Sequence, residues 1–274
     1  MPELPEVEHV ARSLNAVLAG RTIAAARLLS HRLVPTMTKA AFARQLKDTR
    51  INFVHRRGKH VLFDLDNGKT LITHLRMTGC FSLLSPDSVE PKYARAEFFL
   101  GESARLVFDD QRHFGVMKIV KTAELHDSPE LHKLAPEPFS EEFSVEYVRR
   151  TVGGSKKKIK ELLLDQTKFC GVGNIYAAEA LLVAGIDPRT VASKLSKPRA
   201  HRLREAIKQV LGEAIEHSAS IKPDPADLEK TYTGRNEWRV YDREGEPCQI
   251  CNKAIKRIKQ GGRSTFYCPR CQKP

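Results

Sequence analysis

Between Thr22 and Val120 the chain is a succession of short stretches rich in β-branched and aromatic residues, with no long helical pattern to separate them. Thr22 to Leu28, Ile51 to His55, His60 to Leu65, Thr70 to Leu75, Ala94 to Leu100, Arg105 to Phe108 and Val116 to Val120 each read as a strand. Parallel strands need helix-length crossovers, so short connections predict antiparallel pairing in a sandwich or closed barrel. Asp66-Asn67-Gly68 supplies a hairpin turn. In front of the strands, residues 3 to 19 read as a helix, with Val7, Val10, Leu14 and Val17 on one face and Gly20 as its stop.

Beyond about Pro129 the pattern changes. Pro129, Pro136 and Pro138 mark a linker, and helical spacing follows at Val145 to Thr151, Lys157 to Leu164, Asn174 to Ala184 and Lys197 to His217. The last carries Leu203, Ile207, Val210, Leu211 and Ala214 on one stripe, with Ser196 as its cap. Lys222 to Asp227 reads as a second linker before a tail too small to bury a core unaided. The expected class is therefore α+β and multidomain: an antiparallel β-sandwich with a leading helix over 1–134, a helical domain over 135–222, and a linker with a small C-terminal module over 223–274.

Lys and Arg outnumber Asp and Glu 46 to 33, a net charge of +13, which draws polyanions through counterion release. Nucleic acid is the expected partner. Acidic lipid surfaces are the alternative, but no basic amphipathic helix with an aromatic face supports them. No run of 18 apolar residues and no signal-peptide layout is present, which predicts a soluble intracellular protein.

The tail contains Cys248, Cys251, Cys268 and Cys271 as C-x2-C-x16-C-x2-C, the spacing of two knuckles holding one tetrahedral zinc on a β-hairpin. Four thiolates leave no open position for a catalytic water, so the zinc is expected to be structural. Between the knuckles lie Lys253, Lys256, Arg257, Lys259 and Arg263 and no acidic residue, a tip suited to phosphate. Cys80 and Cys170 stand alone and read as ordinary thiols. A second cluster runs Leu162-Leu163-Leu164-Asp165-Gln166, a short break, then Gly171-Val172-Gly173-Asn174-Ile175-Tyr176. Glycines opening a helix present backbone amides, and the Asn174 side chain, to an anion such as a DNA phosphate. The same glycines also serve plain turn geometry, and Lys156-Lys157-Lys158 upstream also suits a solvated face.

The chain begins Met1-Pro2-Glu3-Leu4-Pro5-Glu6. Trimming of Met1 leaves Pro2 with a free secondary amine, and an α-amino group titrates near pH ~8, so an appreciable fraction is unprotonated at neutrality. Such amines attack aldehyde-like carbons and form Schiff bases. Glu3 and Glu6 fall on one face of the first helical turn as candidate proton carriers. The same residues also suit an ordinary helix N-terminus.

The opening PELPEVE, the LLLDQ and GVGNIY segments, and the cysteine module ending GGRSTFYCPRCQ together resemble the bacterial formamidopyrimidine-DNA glycosylases, over essentially the whole chain. The resemblance implies a β-sandwich, a helix-two-turn-helix domain and a zinc finger that grip damaged double-stranded DNA. The protein would be a cytoplasmic, monomeric, bifunctional glycosylase and abasic-site lyase. Pro2 would attack the anomeric carbon, displace the base and form a Schiff base, and β,δ-elimination would cut the strand on both sides. Glu3 would be the general acid and base, Glu6 would hold the N-terminus in place, and Lys59 would sit near the lesion and its phosphate. His74, Asn174, Tyr241 and Arg263 match phosphate-contacting positions, with Lys59 and Arg263 counted among the catalytic set beside Pro2 and Glu3. Met77, Arg112 and Phe114 match the trio that fills the gap left by an everted nucleotide, and favour this branch over the related endonuclease VIII branch.

Two departures qualify the match. The family's glycine-rich tract over the everted base is absent from Ser218 to Trp238, and the IYADE of the family is IYAAE here, with Ala178 in place of aspartate. The implied substrates are thus formamidopyrimidines first, with 8-oxoguanine, oxidised pyrimidines and abasic sites as alternatives. A non-catalytic damage-binding protein is the reading from another class, and the intact Pro2-Glu3 pair argues against it.

Overall fold

A computed structural model of the chain describes residues 1–220 and 238–274. The described residues form two compact units, Met1–His132 together with 217–220, and Lys133–Glu216 together with 238–274.

The first unit opens with helix α1 (Leu4–Leu18). Of its expected apolar face Val7, Val10 and Leu14 are each at most 2% exposed, as is Leu18, while Val17 is only partly buried against the core. Two antiparallel sheets follow. One has the order β1-β3-β4-β5-β9, from strands Thr22–Ile23, Thr49–Arg57, His60–Leu65, Lys69–His74 and Val116–Lys121. The other has the order β2-β7-β8-β6, from Ala25–Leu28, Ala94–Phe99, Arg105–Asp110 and Gly79–Leu84. Residues of both sheets and of α1 share one apolar core, which is the expected sandwich. An edge-to-face chain of rings, Phe63 to Phe81 at 5.5 Å and Phe81 to Phe108 at 5.0 Å, crosses from sheet to sheet.

Helix α1 also caps an open edge. Strand β1 pairs with β3 only at Thr49 and Arg50, and beyond that point the Val54 amide donates to Asn15 Oδ1 of α1 at 2.8 Å. A side chain thus takes the place of a missing strand.

Three elements differ from the sequence reading. Thr22 to Leu28 is not one strand: the chain breaks at Ala24 and its halves enter different sheets. A helix, α2 (Lys39–Leu46), capped by the Thr38 hydroxyl at Ala41 N, fills a stretch left without assignment. Strand β6 carries no strand signal in the sequence, because its opening Gly79 looks like a break. A Cβ there would lie 2.5 Å from the Leu75 carbonyl oxygen and 2.6 Å from Phe108, so the glycine marks a close approach rather than an end.

The second unit contains α3 (Val145–Gly153), α4 (Ile159–Leu163), α5 (Asn174–Val183) and the long α6 (Lys197–Ala219), the last of which runs past Glu216 into the first unit's segment. Helix α5 is buried nearly all round, as expected of the centre of a small helical domain. A two-stranded hairpin, β10 (Lys256–Gln260) and β11 (Arg263–Tyr267), completes it. The second linker expected at Lys222 to Asp227, the boundary at 222 and most of the Ser218 to Trp238 stretch lie outside the described residues.

Candidate functional site

The N-terminal residues are organised by the start of α1. Glu3 is its N-cap and, with Glu6 at the third helical position, forms a reciprocal capping box. The Glu3 amide donates to Glu6 Oε2 at 2.7 Å, and Glu3 itself is 3% exposed. Each of the two carboxylates is therefore held by the other residue's backbone amide, with Pro2 half-buried and Met1 exposed just ahead of them in the chain.

Lys59 lies at the tip of the β3–β4 hairpin. Arg57 pairs with His60, which leaves Gly58 and Lys59 as a two-residue loop, and Gly58 takes φ +57 as a II′-type turn requires. The turn is not a solvent loop: Lys59 is 5% exposed. On the next strand His74 faces His60 directly in register, ring to ring at 4.7 Å and edge to face. The Arg76 amide donates to His74 Nδ1 at 3.0 Å, so the neutral ring carries its proton on Nε2. Burial, then His60, Arg76 and Lys59, push His74 down to about 3, while burial first and Arg76 and Arg57 among its charged neighbours push His60 down to about 4. His74 is a fixed, uncharged N–H donor at neutral pH, not the lone histidine of the sequence.

Met77 and Phe114 stand out as exposed large apolar side chains, 43% and 51% accessible. Arg112 lies with its guanidinium 4.8 Å from the Phe114 ring centroid. These three project from the β5–β6 and β8–β9 connections of the same sandwich.

In the second unit, Gln166 closes the turn between α4 and α5: it accepts from Gly171 N at 3.0 Å and donates to the Val172 carbonyl at 2.8 Å. Asn174 is the first residue of α5 after the N-cap Gly173. Its side chain is not simply offered outward. Asn174 Oδ1 accepts from Lys160 Nζ at 2.7 Å and Nδ2 donates to the Ser264 carbonyl at 3.1 Å, which engages the oxygen and one of the two amide N–H groups. Arg263, beside Ser264, opens β11 after a Gly261-Gly262 turn with φ +52 and +77 and is exposed. Tyr241 packs edge to face on Phe266 at 5.3 Å. Lys253, Lys256, Lys259 and Arg263 are all exposed, whereas Arg257 reaches Glu244 at 3.4 Å, an acidic neighbour from outside the knuckles.

The four cysteines meet as their spacing requires. All four Sγ atoms lie within 4.8 Å of one another, with Cys251 to Cys268 at 3.5 Å and Cys248 to Cys271 at 3.9 Å. A tetrahedron of zinc–sulfur bonds of ~2.3 Å has edges of ~3.8 Å. The donor set is all thiol and closed, so it fits one structural zinc and no catalytic one. The Lys253 amide beside Cys251 draws that thiol down to about 7, favouring the thiolate that a metal needs.

Sequence reasoning missed the residues beneath these side chains. Asp110, Lys160 and Glu179 are buried charges that tie site residues to distant parts of their own unit. Nothing in local spacing announces them, since their partners are far along the chain.

A two-sheet sandwich led by a Pro-Glu terminus, a helical domain with a glycine-opened helix, and a four-cysteine hairpin define the class of zinc-finger, helix-two-turn-helix proteins. Family models agree in each part: the formamidopyrimidine-DNA glycosylase N-terminal domain matches residues 1–117, the H2TH domain of the same enzymes 134–224, and the zinc finger found in FPG and IleRS 245–274. The formamidopyrimidine-DNA glycosylase of Desulforamulus reducens is 38% identical over 100% of this chain and 99% of its own length. That of Lactiplantibacillus plantarum is 37% identical over 98% of each. Among solved structures, Lactococcus lactis Fpg (MutM) with N7-benzyl-Fapy-dG DNA superposes with a TM-score of 0.92 at 34% identity, covering 100% of both chains. The same enzyme with oxidised-pyrimidine DNA gives 0.91 at 33%. This chain belongs to the formamidopyrimidine-DNA glycosylase family.

Proposed function

We propose that the chain is a base-excision repair enzyme, a DNA glycosylase and abasic-site lyase for oxidised purines, acting through the amine of Pro2. The observation that carries this reading is the capping box immediately behind Pro2, in which a buried Glu3 and a half-buried Glu6 each hold the other's backbone amide. A DNA-binding protein needs no such arrangement. A nucleophile does, because its amine must be held still and a proton carrier kept beside it.

The steps follow from the groups present. The unprotonated Pro2 nitrogen adds to C1′ of the damaged nucleotide, and the base leaves with the electron pair of its glycosidic bond and a proton. Opening of the sugar ring, with its O4′ taking a proton from Glu3, gives an iminium between Pro2 and C1′. Loss of a C2′ proton expels the 3′ phosphate, and a second elimination expels the 5′ phosphate. Lys59, His74, Asn174, Tyr241 and Arg263 supply donors and positive charge for the phosphates around the lesion, His74 through its Nε2–H. Met77, Arg112 and Phe114 fill the space the everted nucleotide leaves. The zinc shapes the finger and takes no part in these steps.

Formamidopyrimidines are the favoured substrates, since the tract that would cover 8-oxoguanine is missing from the sequence over 218–238. The division into domains 1–134, 135–222 and 223–274, a cytoplasmic location and a monomeric state belong to the same reading. Among the described residues no helix is long and apolar enough to cross a membrane.

The test is borohydride trapping of untagged protein, shown by mass to begin at Pro2, on duplexes carrying a formamidopyrimidine, 8-oxoguanine, an oxidised pyrimidine or an abasic site. A covalent adduct that disappears when an N-terminal extension blocks the Pro2 nitrogen is expected, strongest on the formamidopyrimidine and abasic duplexes. No adduct on any of them would leave a damage-binding protein instead.

A further inference from the structure

The exposed Met77 and Phe114 stand on a base that is anything but exposed. Asp110, 1% accessible at the end of β8, sits opposite Gly79 in the β6–β8 register. Its Oδ2 accepts the Gly115 amide at 2.7 Å, and its Oδ1 accepts both the Thr78 hydroxyl and the Arg112 amide, the latter at 3.2 Å. Thr78 Oγ1 also accepts the Arg112 amide, at 3.1 Å. One carboxylate thus holds the residue after Met77 in one loop and the residues on either side of His113 and Phe114 in the other.

The packing below repeats the pattern. A Cβ on Gly79 would come within 2.6 Å of the Phe108 ring, and one on Gly115 within 2.8 Å of the same ring and 3.1 Å of Asp110 Oδ2. Both loops therefore rest on Phe108, two residues before Asp110. Each loop also holds a non-glycine residue in the left-handed region, Arg76 at φ +58 and His113 at φ +57. Such residues persist where surrounding bonds over-determine them.

We infer that Asp110, acting through Thr78, is a positioning residue that couples the Met77 loop and the Arg112–Phe114 loop into one insertion element. The inference rests on the reading of Met77, Arg112 and Phe114 as the side chains that enter the DNA stack. Opening a base step costs stacking and pairing energy. Ordering loose side chains at the moment of insertion would add an entropic cost for each. A wedge already braced on a buried carboxylate avoids that second cost. The coupling should matter for everting a base from a duplex and be irrelevant to imine formation on a strand with nothing to evert.

The test uses the full-length, zinc-loaded chain and two substrates: a duplex with a formamidopyrimidine opposite cytosine, read by single-turnover base release, and a single-stranded abasic oligonucleotide, read by borohydride trapping. Thr78→Val, which removes the hydroxyl and keeps the bulk, is expected to slow duplex base release about tenfold or more, on the order of one broken positioning contact. Trapping on the single strand should stay within about twofold of the parent. Thr78→Ser, which keeps the hydroxyl and loses the methyl, should restore the duplex rate, whereas a pure packing role would make serine the worse of the two. Asp110→Asn should follow Thr78→Val. Parental duplex rates in Thr78→Val and Asp110→Asn, with Met77→Ala and Phe114→Ala slow, would overturn the coupling and spare the wedge. Parental duplex rates in Met77→Ala and Phe114→Ala would remove the wedge reading and the coupling with it.

Discussion

The Nζ of Lys160, wholly buried, donates to Oδ1 of Asn174 across 2.7 Å. The same nitrogen donates to the Ser264 carbonyl at 2.9 Å and the Thr265 hydroxyl at 2.6 Å. α4, α5 and β11 are joined at one atom. Lys160 orients Asn174 and the strand that begins with Arg263 while its charge stays inside the protein.

That placement separates two kinds of lysine and arginine effect. Lys160→Met should weaken DNA binding roughly tenfold at every salt concentration with an unchanged slope of log affinity against log salt, because no phosphate loses its neutralising charge. Arg263→Ala should instead lower the slope by about 0.9. Fluorescence anisotropy titrations between low and moderate salt distinguish the two. A reduced slope in Lys160→Met would mean that Lys160 meets phosphate itself.

Glu179 plays the corresponding part for Tyr241. Its carboxylate, 2% exposed, accepts the amides of Arg239, Val240 and Tyr241 at 3.0, 2.9 and 2.9 Å. Bonds to a charged acceptor contribute about 1.5–3 kcal/mol each. Glu179→Gln puts an NH2 where an acceptor is needed, and should destabilise the chain by about 2–5 kcal/mol through buried groups left unsatisfied. Amide exchange should accelerate first at 239–241 while α1 remains protected. Equal acceleration throughout the chain would refute a local anchoring role.

These anchors explain which parts of the molecule were readable. Helix α1 and the cysteine quartet carry their own signals, an apolar stripe and a fixed spacing, within a few residues. The turn at Asp66-Asn67-Gly68, which joins β4 to β5, does too. Helix α2 was missed because eight residues with only Phe42 and Leu46 buried give a faint periodicity, and β6 because a glycine required by close packing looks like a stop. Asp110, Lys160 and Glu179 were invisible for a stronger reason. Thr78 precedes Asp110 by 32 positions, Thr265 follows Lys160 by 105, and Tyr241 follows Glu179 by 62. Only the fold brings such pairs together.

The His60–His74 pair makes stability depend on acid in a definite direction. Both rings are held neutral, with folded values of about 4 and about 3 against 6.5 for an ordinary histidine. Below pH 6.5 the unfolded chain takes up protons that the folded chain refuses, so the folded state loses stability as pH falls toward 4 and keeps it above 6.5. Each histidine contributes up to about 1.4 kcal/mol per pH unit in that window. The nearby Arg57, Arg76 and Lys59 reinforce the refusal and Glu130 opposes it. His60→Gln should therefore show a shallower decline, by about one proton, in urea unfolding between pH 6.5 and 4.5. An unchanged decline would show that acid sensitivity arises elsewhere.

The zinc module depends on its metal and on its seat on α5. Its small core joins Val240, Ile255 and Phe266 to Ala178 and Leu182, and a structural zinc contributes about 10–16 kcal/mol in finger peptides, more than so few apolar contacts supply. The chain should release one zinc per molecule when its thiols are titrated. Cys268→Ser, which removes a fully buried ligand, should lose the metal and weaken DNA binding at least tenfold, because Arg263 and Tyr241 are both carried by this module. The sandwich core draws its residues from the first unit, between Val7 and Ile119, so its thermal unfolding should shift little in the same variant. Metal analysis, anisotropy and calorimetry on one preparation make the comparison. A Cys268→Ser protein without zinc that binds DNA as the parent does would remove the finger from the interface.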